Sequence, residues 1–274
     1  MILITARKKT NFPVGLNERV LDHFRSQRAR TVMRYVTSPA NILDIGCGNG
    51  RFLKQLIDKN YSGYGIELPS KSAERASRIP GLNLITGQLC EDDFDAHFFD
   101  AVTMWHVIEH LSDPQKTLKI VGNILKQRGY LMLSMPNIDS FQSRLFGGKW
   151  LHIDPPRHLF FFGASDLTNI MQTFGFEIVT IKYFSLEQNP FGMQQSILNC
   201  ILKKREVLFE VLKGNRYYAL EYPTVSILLQ KLFLYDNFSA LCLVECNGGI
   251  FENGWHHRNG FQKDTLTKDQ NDNF

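Results

Sequence analysis

The ten residues Asn41-Ile42-Leu43-Asp44-Ile45-Gly46-Cys47-Gly48-Asn49-Gly50 constrain this chain more than any other stretch. The run from Ile42 to Ile45 reads as a buried strand, and it passes directly into a turn with glycine at alternate positions. A helix opens at Asn49 or Gly50 and continues through Arg51 to Ile57. Strand, glycine turn and helix in this order receive a nucleotide-like ligand. Glycine permits the tight bend and lets a ligand approach where a Cβ would collide. The spacing is G-x-G-x-G rather than the G-x-G-x-x-G of dinucleotide sites, and Asp44 lies inside the strand end. A carboxylate there repels pyrophosphate and attracts a cationic ligand. Glu67 ends the next apolar run, Tyr61 to Ile66. An acid in that position is placed to accept hydrogen bonds from ribose hydroxyls.

Downstream, strands are expected at 61–67, 82–86, 98–104 and 129–135, alternating with helices at 70–78 and 113–126. This alternation predicts an α/β fold: a Rossmann-like, doubly wound, mostly parallel sheet with helices on both faces. Ligands of such sheets bind beyond the carboxyl ends of the strands. The 43% hydrophobic and 21% charged content of the 274 residues is that of an ordinary globular protein. A net charge of +4 demands no nucleic acid. Five cysteines without a C-x-x-C pair speak against a disulfide framework or zinc site and suit a reducing cytoplasm. The first apolar residues are too few for a signal peptide, and no apolar run reaches the ~18 residues of a spanning helix.

Two stretches carry acid–base chemistry. In Trp105-His106-Val107-Ile108-Glu109-His110-Leu111 the two histidines are one helical turn apart, so on a helix they share a face, with Glu109 beside them. Histidine is the side chain best suited to accept a proton near neutral pH. The pair also has H-x-x-x-H spacing, but no third ligand is evident nearby, so no metal is assigned. The second stretch, 137–163, reads as a lid. Trp150, His152, Asp154, Arg157 and His158 crowd around Pro155-Pro156. Arg157 can grip a carboxylate or phosphate, and His152 or His158 can serve as base. The alternative is a rigid lid whose polar groups satisfy one another.

Leu43-Asp44-Ile45-Gly46-Cys47-Gly48-Asn49-Gly50, Gly65-Ile66-Glu67, Phe99-Asp100-Ala101-Val102, Trp105 to Leu111 and Leu125-Lys126-Gln127-Arg128-Gly129 occur in one order. Pro136 to Ser140, Phe146 to Trp150 and Asp154 to Leu159 continue it. This series resembles the class I S-adenosylmethionine-dependent methyltransferases, in the subgroup related to bacterial ubiquinone-biosynthesis O-methyltransferases, over roughly residues 40–185. The chain departs from that pattern at Gln88, where an Asp is common, and at Lys126 to Gly129, where a Pro-Gly-Gly turn is usual.

The resemblance implies S-adenosyl-L-methionine as cofactor, held by Asp44, Gly46, Gly48, Gly50, Glu67, Leu68, Gln88, Leu89, Trp105 and His106. Trp105 would pack on the adenine or face the sulfonium, or else be a core aromatic. His106, His110 and His158 are the expected catalytic residues, and Trp150, His152 and Arg157 the expected substrate contacts. The related quinone methyltransferases raise a divalent metal at the matching acid and histidine. The implied reaction is methyl transfer to a small-molecule or lipid-linked acceptor, with oxygen the favoured atom. N- or C-methylation and a catalytically inactive interaction module are the alternatives. A nicotinamide dehydrogenase is disfavoured by Asp44 and the glycine spacing.

The expected organisation is a helical cap at 1–40, a core at 41–190 with its lid, a helical insertion at 191–237, a last strand at 238–246 and a flexible tail at 247–274. That last strand, antiparallel, would complete a seven-stranded sheet. Within the insertion, Ile197, Ile201, Leu202, Leu208, Val211 and Leu212 recur at helical spacing around Lys203-Lys204-Arg205, and a more apolar helix is expected over 225–234. These helices would pack on the core or on another subunit. Alternatively they form a greasy acceptor channel or a peripheral contact with an anionic membrane surface. The expected location is cytoplasmic, with that membrane contact as an option.

Overall fold

The computed structural model describes residues 14–183, 185, 188–204, 207–212, 216–225 and 250–257. Five strands run parallel: β1 (Asn41–Ile45), β2 (Ser62–Glu67), β3 (Leu82–Thr86), β4 (Phe99–Trp105) and β5 (Leu125–Pro136). Their order across the sheet is β3-β2-β1-β4-β5. The order reverses between β1 and β4, which opens a crevice at the carboxyl ends of those two strands. The chain crosses between strands through α2 (Arg51–Ile57), α3 (Lys71–Ala76) and α4 (Pro114–Ile124), and α1 (Val14–Tyr35) precedes β1.

The sheet is buried on both faces, so its strands are apolar at successive positions rather than at every second one. Ile42, Ala101, Trp105 and Met132 pack with Ala29, Val32 and Val36 of α1 and Phe52, Leu53 and Leu56 of α2. Leu43, Ile45, Val102, Met104, Leu131 and Leu133 pack on the other face, with Leu118, Val121 and Ile124 of α4. Leu167 and Met171 of α6 (Ala164–Thr173) join that second cluster. Helix starts follow local chemistry. Lys116 N–H donates to Asp113 Oδ1 at 2.9 Å ahead of Pro114, and Ala73 N–H donates to Ser70 Oγ at 3.1 Å.

Beyond β5 the chain departs from the expectation. β6 (Phe176–Lys182) pairs with β7 (Ile250–His257), which also pairs antiparallel with β5. The tail expected from residue 247 is therefore corrected for these eight residues, whose backbone is held on both edges. The strand expected at 238–246 and the apolar helix beyond Val225 lie outside the described residues. The Lys126 to Gly129 stretch is part of β5, with Arg128 at φ +62° where a glycine would sit without strain.

Residues 137–163 fold back over the carboxyl end of the sheet, closed at their base by a bridge between Asn137 and Phe162. They contain α5 (Phe141–Phe146), so the lid is more than a loop. The insertion contributes α7 (Asn189–Ile201), α8 (Val207–Leu212) and α9 (Arg216–Glu221). Val207, Leu208 and Val211 form a small apolar cluster with Phe191, Leu198 and Leu202. α7 contradicts its pattern: Asn189, Gly192, Gln195, Ser196 and Asn199 are buried, while Ile197 and Ile201 are exposed.

The turn after β1 joins this framework to the segment after β4. Gly46 sits at φ +75°, donates its N–H to Ile66 O at 2.8 Å, and lies so close to Val107 that a Cβ would collide with Cγ2. Gly46→Ala therefore meets both a forbidden φ and a clash. It should cost roughly 2 kcal/mol in chemical denaturation, with the m-value unchanged.

Candidate active site

Three strand ends build the cleft. Gly48 N–H donates to Glu67 Oε2 at 2.7 Å, so the acid at the end of β2 reaches across to the glycine turn. A Cβ on Gly48 or Gly87 would meet nothing within 4 Å, so both turns border open space. Gly87 N–H donates to Glu67 O at 2.9 Å, which brings Gln88 and Leu89 beside Glu67 and Leu68. Leu68 is 54% exposed, Gln88 is exposed, and Leu89 is half-buried against the core. Gly50, at φ +72°, opens α2, with its Cα packed near Ile79 and Leu82. Asp44, Gly46, Gly48, Gly50, Glu67, Leu68, Gln88 and Leu89 are thus brought to one end of the sheet.

Asp44 is 3% exposed and accepts a 2.6 Å hydrogen bond from Thr103 Oγ1. Burial pushes its carboxyl up to about 7. Thr103 and the Arg28 guanidinium oppose that rise, and Glu67 adds to it. Trp105 takes the second of its two expected places. It points, with Ala101 and Thr103, to the α1–α2 face, stands edge-on to Phe52 at 5.8 Å and is a core aromatic. Arg28 of α1 lies over its ring, 5.2 Å from the centroid. Arg28 and Thr103 are additions to the expected site. Arg28 is legible only as one of several basic residues on the cap helix, and Thr103 carries no signal beyond its place in β4.

His106 and His110 do not share a helical face. His106 ends the strand in the left-handed region, φ +59°, and a 3-10 turn follows over Ile108–His110. His106 Nε2 lies 3.3 Å from Ser134 Oγ, and its Nδ1 is 3.6 Å from Glu109 Oε1. His110 Nδ1 lies 2.8 Å from Arg157 O. The lid then supplies a partner that the local sequence lacks: the His158 ring is 4.7 Å from that of His110. Glu109, His110 and His158 offer ligand atoms that all lie within 4.8 Å of one another.

Glu109, the acid that the resemblance links to a divalent metal, stands within reach of these two histidines. It is 1% exposed, and neither carboxylate oxygen has a hydrogen-bond partner. The donor set fits a divalent cation of borderline hardness: one carboxylate and two imidazoles. Each imidazole presents its Nδ1 to a backbone carbonyl, Arg157 O for His110 and His152 O at 2.7 Å for His158. A carbonyl accepts only from N–H, so Nε2 of each neutral ring keeps a lone pair. Burial lowers the His158 pKa, which favours that neutral form.

The other lid residues named in the sequence contact one another. His152 is buried among lid side chains, and burial, with His106 and His158 nearby, lowers its pKa to about 3. It is neutral across the working range. Trp150 is 2% exposed, its Nε1 without a partner, and its ring stands edge-on to His152 at 5.0 Å. Arg157 pairs with Asp154 and is half-exposed at the outer side of the lid. A bare buried carboxylate is costly, so Glu109→Gln should stabilise the chelator-treated protein by about 1 kcal/mol or more. Thermal melts in chelator check this, and added divalent cation should raise the melting temperature of the parent but not of the variant.

Comparison with known proteins agrees with this geometry. Residues 21–181 match the model of a family described as a methyltransferase domain. A ubiquinone biosynthesis O-methyltransferase of Glaesserella parasuis is 28% identical over 106 residues, covering 35% of this chain and 45% of the relative. The chain spans about half the length of the first curated relatives it matches. Among solved structures, the [4+2]-cyclase SpnF superposes with a TM-score of 0.57 at 16% identity, covering 85% of this chain and 81% of that one. An S-adenosylmethionine-dependent methyltransferase from Archaeoglobus fulgidus does so at 0.53 and 18% identity, covering 89% of this chain and all of that one. These two likenesses speak for the fold. The family match runs over more than half of the chain, which therefore belongs to the methyltransferase domain family, with S-adenosyl-L-methionine as its cofactor.

Proposed function

We propose that this protein transfers the methyl group of S-adenosyl-L-methionine to a hydroxyl oxygen of a small-molecule or lipid-linked acceptor. The observation that carries the reading is the Glu109–His110–His158 cluster beside the glycine turn. Methyl transfer from a sulfonium needs little from the protein beyond alignment and exclusion of water. A hydroxyl acceptor must also lose a proton, and this is what the cluster is equipped to manage. Asp44 and Glu67 hold the amino and ribose groups of the cofactor, and Arg28 meets its carboxylate. His158, neutral and oriented by the His152 carbonyl, offers Nε2 to the acceptor hydroxyl, and the Glu109 carboxylate stabilises the imidazolium that results. A divalent cation held by Glu109, His110 and His158 would instead acidify the hydroxyl directly.

The name of the Glaesserella relative supports oxygen as the methylated atom. The lipid-linked branch is supported by Ile197 and Ile201, exposed one helical turn apart on α7 next to Lys203. No helix of the described residues is long and apolar enough to cross a membrane. The reading includes a complete sheet of seven strands whose antiparallel member is β7.

The test offers labelled S-adenosylmethionine with quinol and catechol acceptors and with lipid extracts, with and without divalent cation. His158→Ala should lower turnover roughly a hundredfold or more while cofactor affinity stays nearly unchanged. Activity that survives chelation assigns the proton transfer to His158 itself. Label recovered on nitrogen or carbon, or an active His158→Ala, overturns the reading.

Asp44 generates a separate expectation. Below about pH 7 its carboxyl in the cofactor-free protein is protonated and loses its attraction for the cofactor's ammonium group. Calorimetric affinity should therefore fall by up to ~10-fold per pH unit on going acid of 7, and Asp44→Asn should flatten the profile. The same raised pKa acts oppositely on stability. Its contribution is full below the ordinary carboxylate value of 3.8 and is lost as pH rises through about 7.

A further inference from the structure

α7 is an inside-out helix. Its inner face is polar, and the groups it meets are backbone and side-chain groups of the lid. Ser196, fully buried, accepts a 2.9 Å hydrogen bond from Leu151 N–H and donates to Gly192 O at 2.6 Å. Asn199 donates from Nδ2 to Lys149 O at 3.1 Å, while its Oδ1 accepts from Gln195 Nε2 at 2.8 Å. Gln142 of α5 donates to Asn189 O at 2.9 Å. Gly192 allows the closest approach: a Cβ there would stand 3.0 Å from Gln142 Oε1 and 3.6 Å from His152 Nε2. Lys149 and Leu151 are thus held by hydrogen bonds from α7, the His152 ring lies close to Gly192, and His152 is the residue whose carbonyl receives His158 Nδ1.

We infer that α7 positions the active-site imidazole. Ser196 fixes the lid backbone at Leu151, Gly192 makes room for the His152 ring, and the His152 carbonyl holds His158 as its Nδ1–H tautomer, which leaves the Nε2 lone pair for the acceptor hydroxyl or a divalent cation. None of the α7 residues needs to touch cofactor or acceptor, so they are positioning residues. The inference rests on the reading of His158 given above, yet its readout requires no turnover.

The experiment is nitrogen-15 NMR of histidine-labelled protein, which distinguishes the two neutral tautomers of each ring, alongside calorimetric titration with S-adenosylmethionine. Ser196→Ala removes the acceptor for Leu151 N–H, and Gly192→Ala wedges α7 from the lid by a few tenths of an ångström. In both, the Nε2–H tautomer of His158 should appear while cofactor affinity stays within about twofold, because the substitutions act on contacts between α7 and the lid. Ile197→Ala, on the exposed side of the same helix, should leave His158 as it is. An unchanged His158 tautomer in both inner-face variants overturns the inference. So does cofactor affinity lost in step with the tautomer, or an equal effect of Ile197→Ala, since either makes α7 a general support of the fold. If the parent protein fails to bind S-adenosylmethionine, the functional reading fails and the tautomer result stands by itself.

Discussion

Two carboxylates are buried at the carboxyl end of the sheet, Asp44 at 3% exposure and Glu109 at 1%, and much of the site follows from the cost of keeping them there. An ionised carboxylate removed from water costs several kcal/mol unless hydrogen bonds or countercharges offset it. Asp44 meets that cost in part, with the Thr103 hydroxyl and the nearby Arg28. Neither carboxylate oxygen of Glu109 has a hydrogen bond among the described residues, and nitrogens of His106, His110 and His158 stand close. A structure selected only for stability would replace such a group by an apolar one. In the proposed reaction each acid meets a positive charge, Asp44 that of the cofactor and Glu109 that of a proton or a divalent cation.

The two acids are also held in fixed relation. Val107, between His106 and Glu109, presses on the Cα of Gly46, while Gly46 N–H is tied to β2 through Ile66 O. The backbone of the acid–histidine segment therefore rests on the turn that borders the cofactor cleft. His106 N–H is bonded to Ser134 O of β5 at 2.8 Å, and Glu109 O accepts from the lid at Leu159 N–H, also at 2.8 Å. Three elements distant in sequence clamp a segment of five residues, and this is the sort of rigid support that precise group transfer demands.

How much of this was legible depends on whether the partners are local. Asp44, the three glycines and Glu67 declare themselves because strand, turn and helix are consecutive, and the parallel sheet follows from the alternation of apolar runs. Trp105 was readable in principle: period-two alternation from Ala101 and Thr103 assigns it to the α1–α2 face. His158 and Glu109 could not be joined from sequence, because their approach depends on how the lid folds back. β7 was hidden by the polar composition after residue 247, which outweighed the short run Ile250-Phe251 in a reading by composition.

The hardest feature to foresee was the polar inner face of α7. Periodicity finds buried faces by their apolar residues, since apolar area is what most helices bury. Ile197 and Ile201 accordingly mark the wrong side. Burying Gln195, Ser196 and Asn199 is tolerable only because backbone groups of Lys149 and Leu151, together with groups within α7, satisfy them. Apolar surfaces tolerate sliding by fractions of an ångström at little cost, whereas hydrogen bonds weaken steeply with misalignment. A lid that only excluded water would be served by a greasy face. A lid that, as proposed, presents the Nε2 lone pair of His158 to the acceptor is better served by this one.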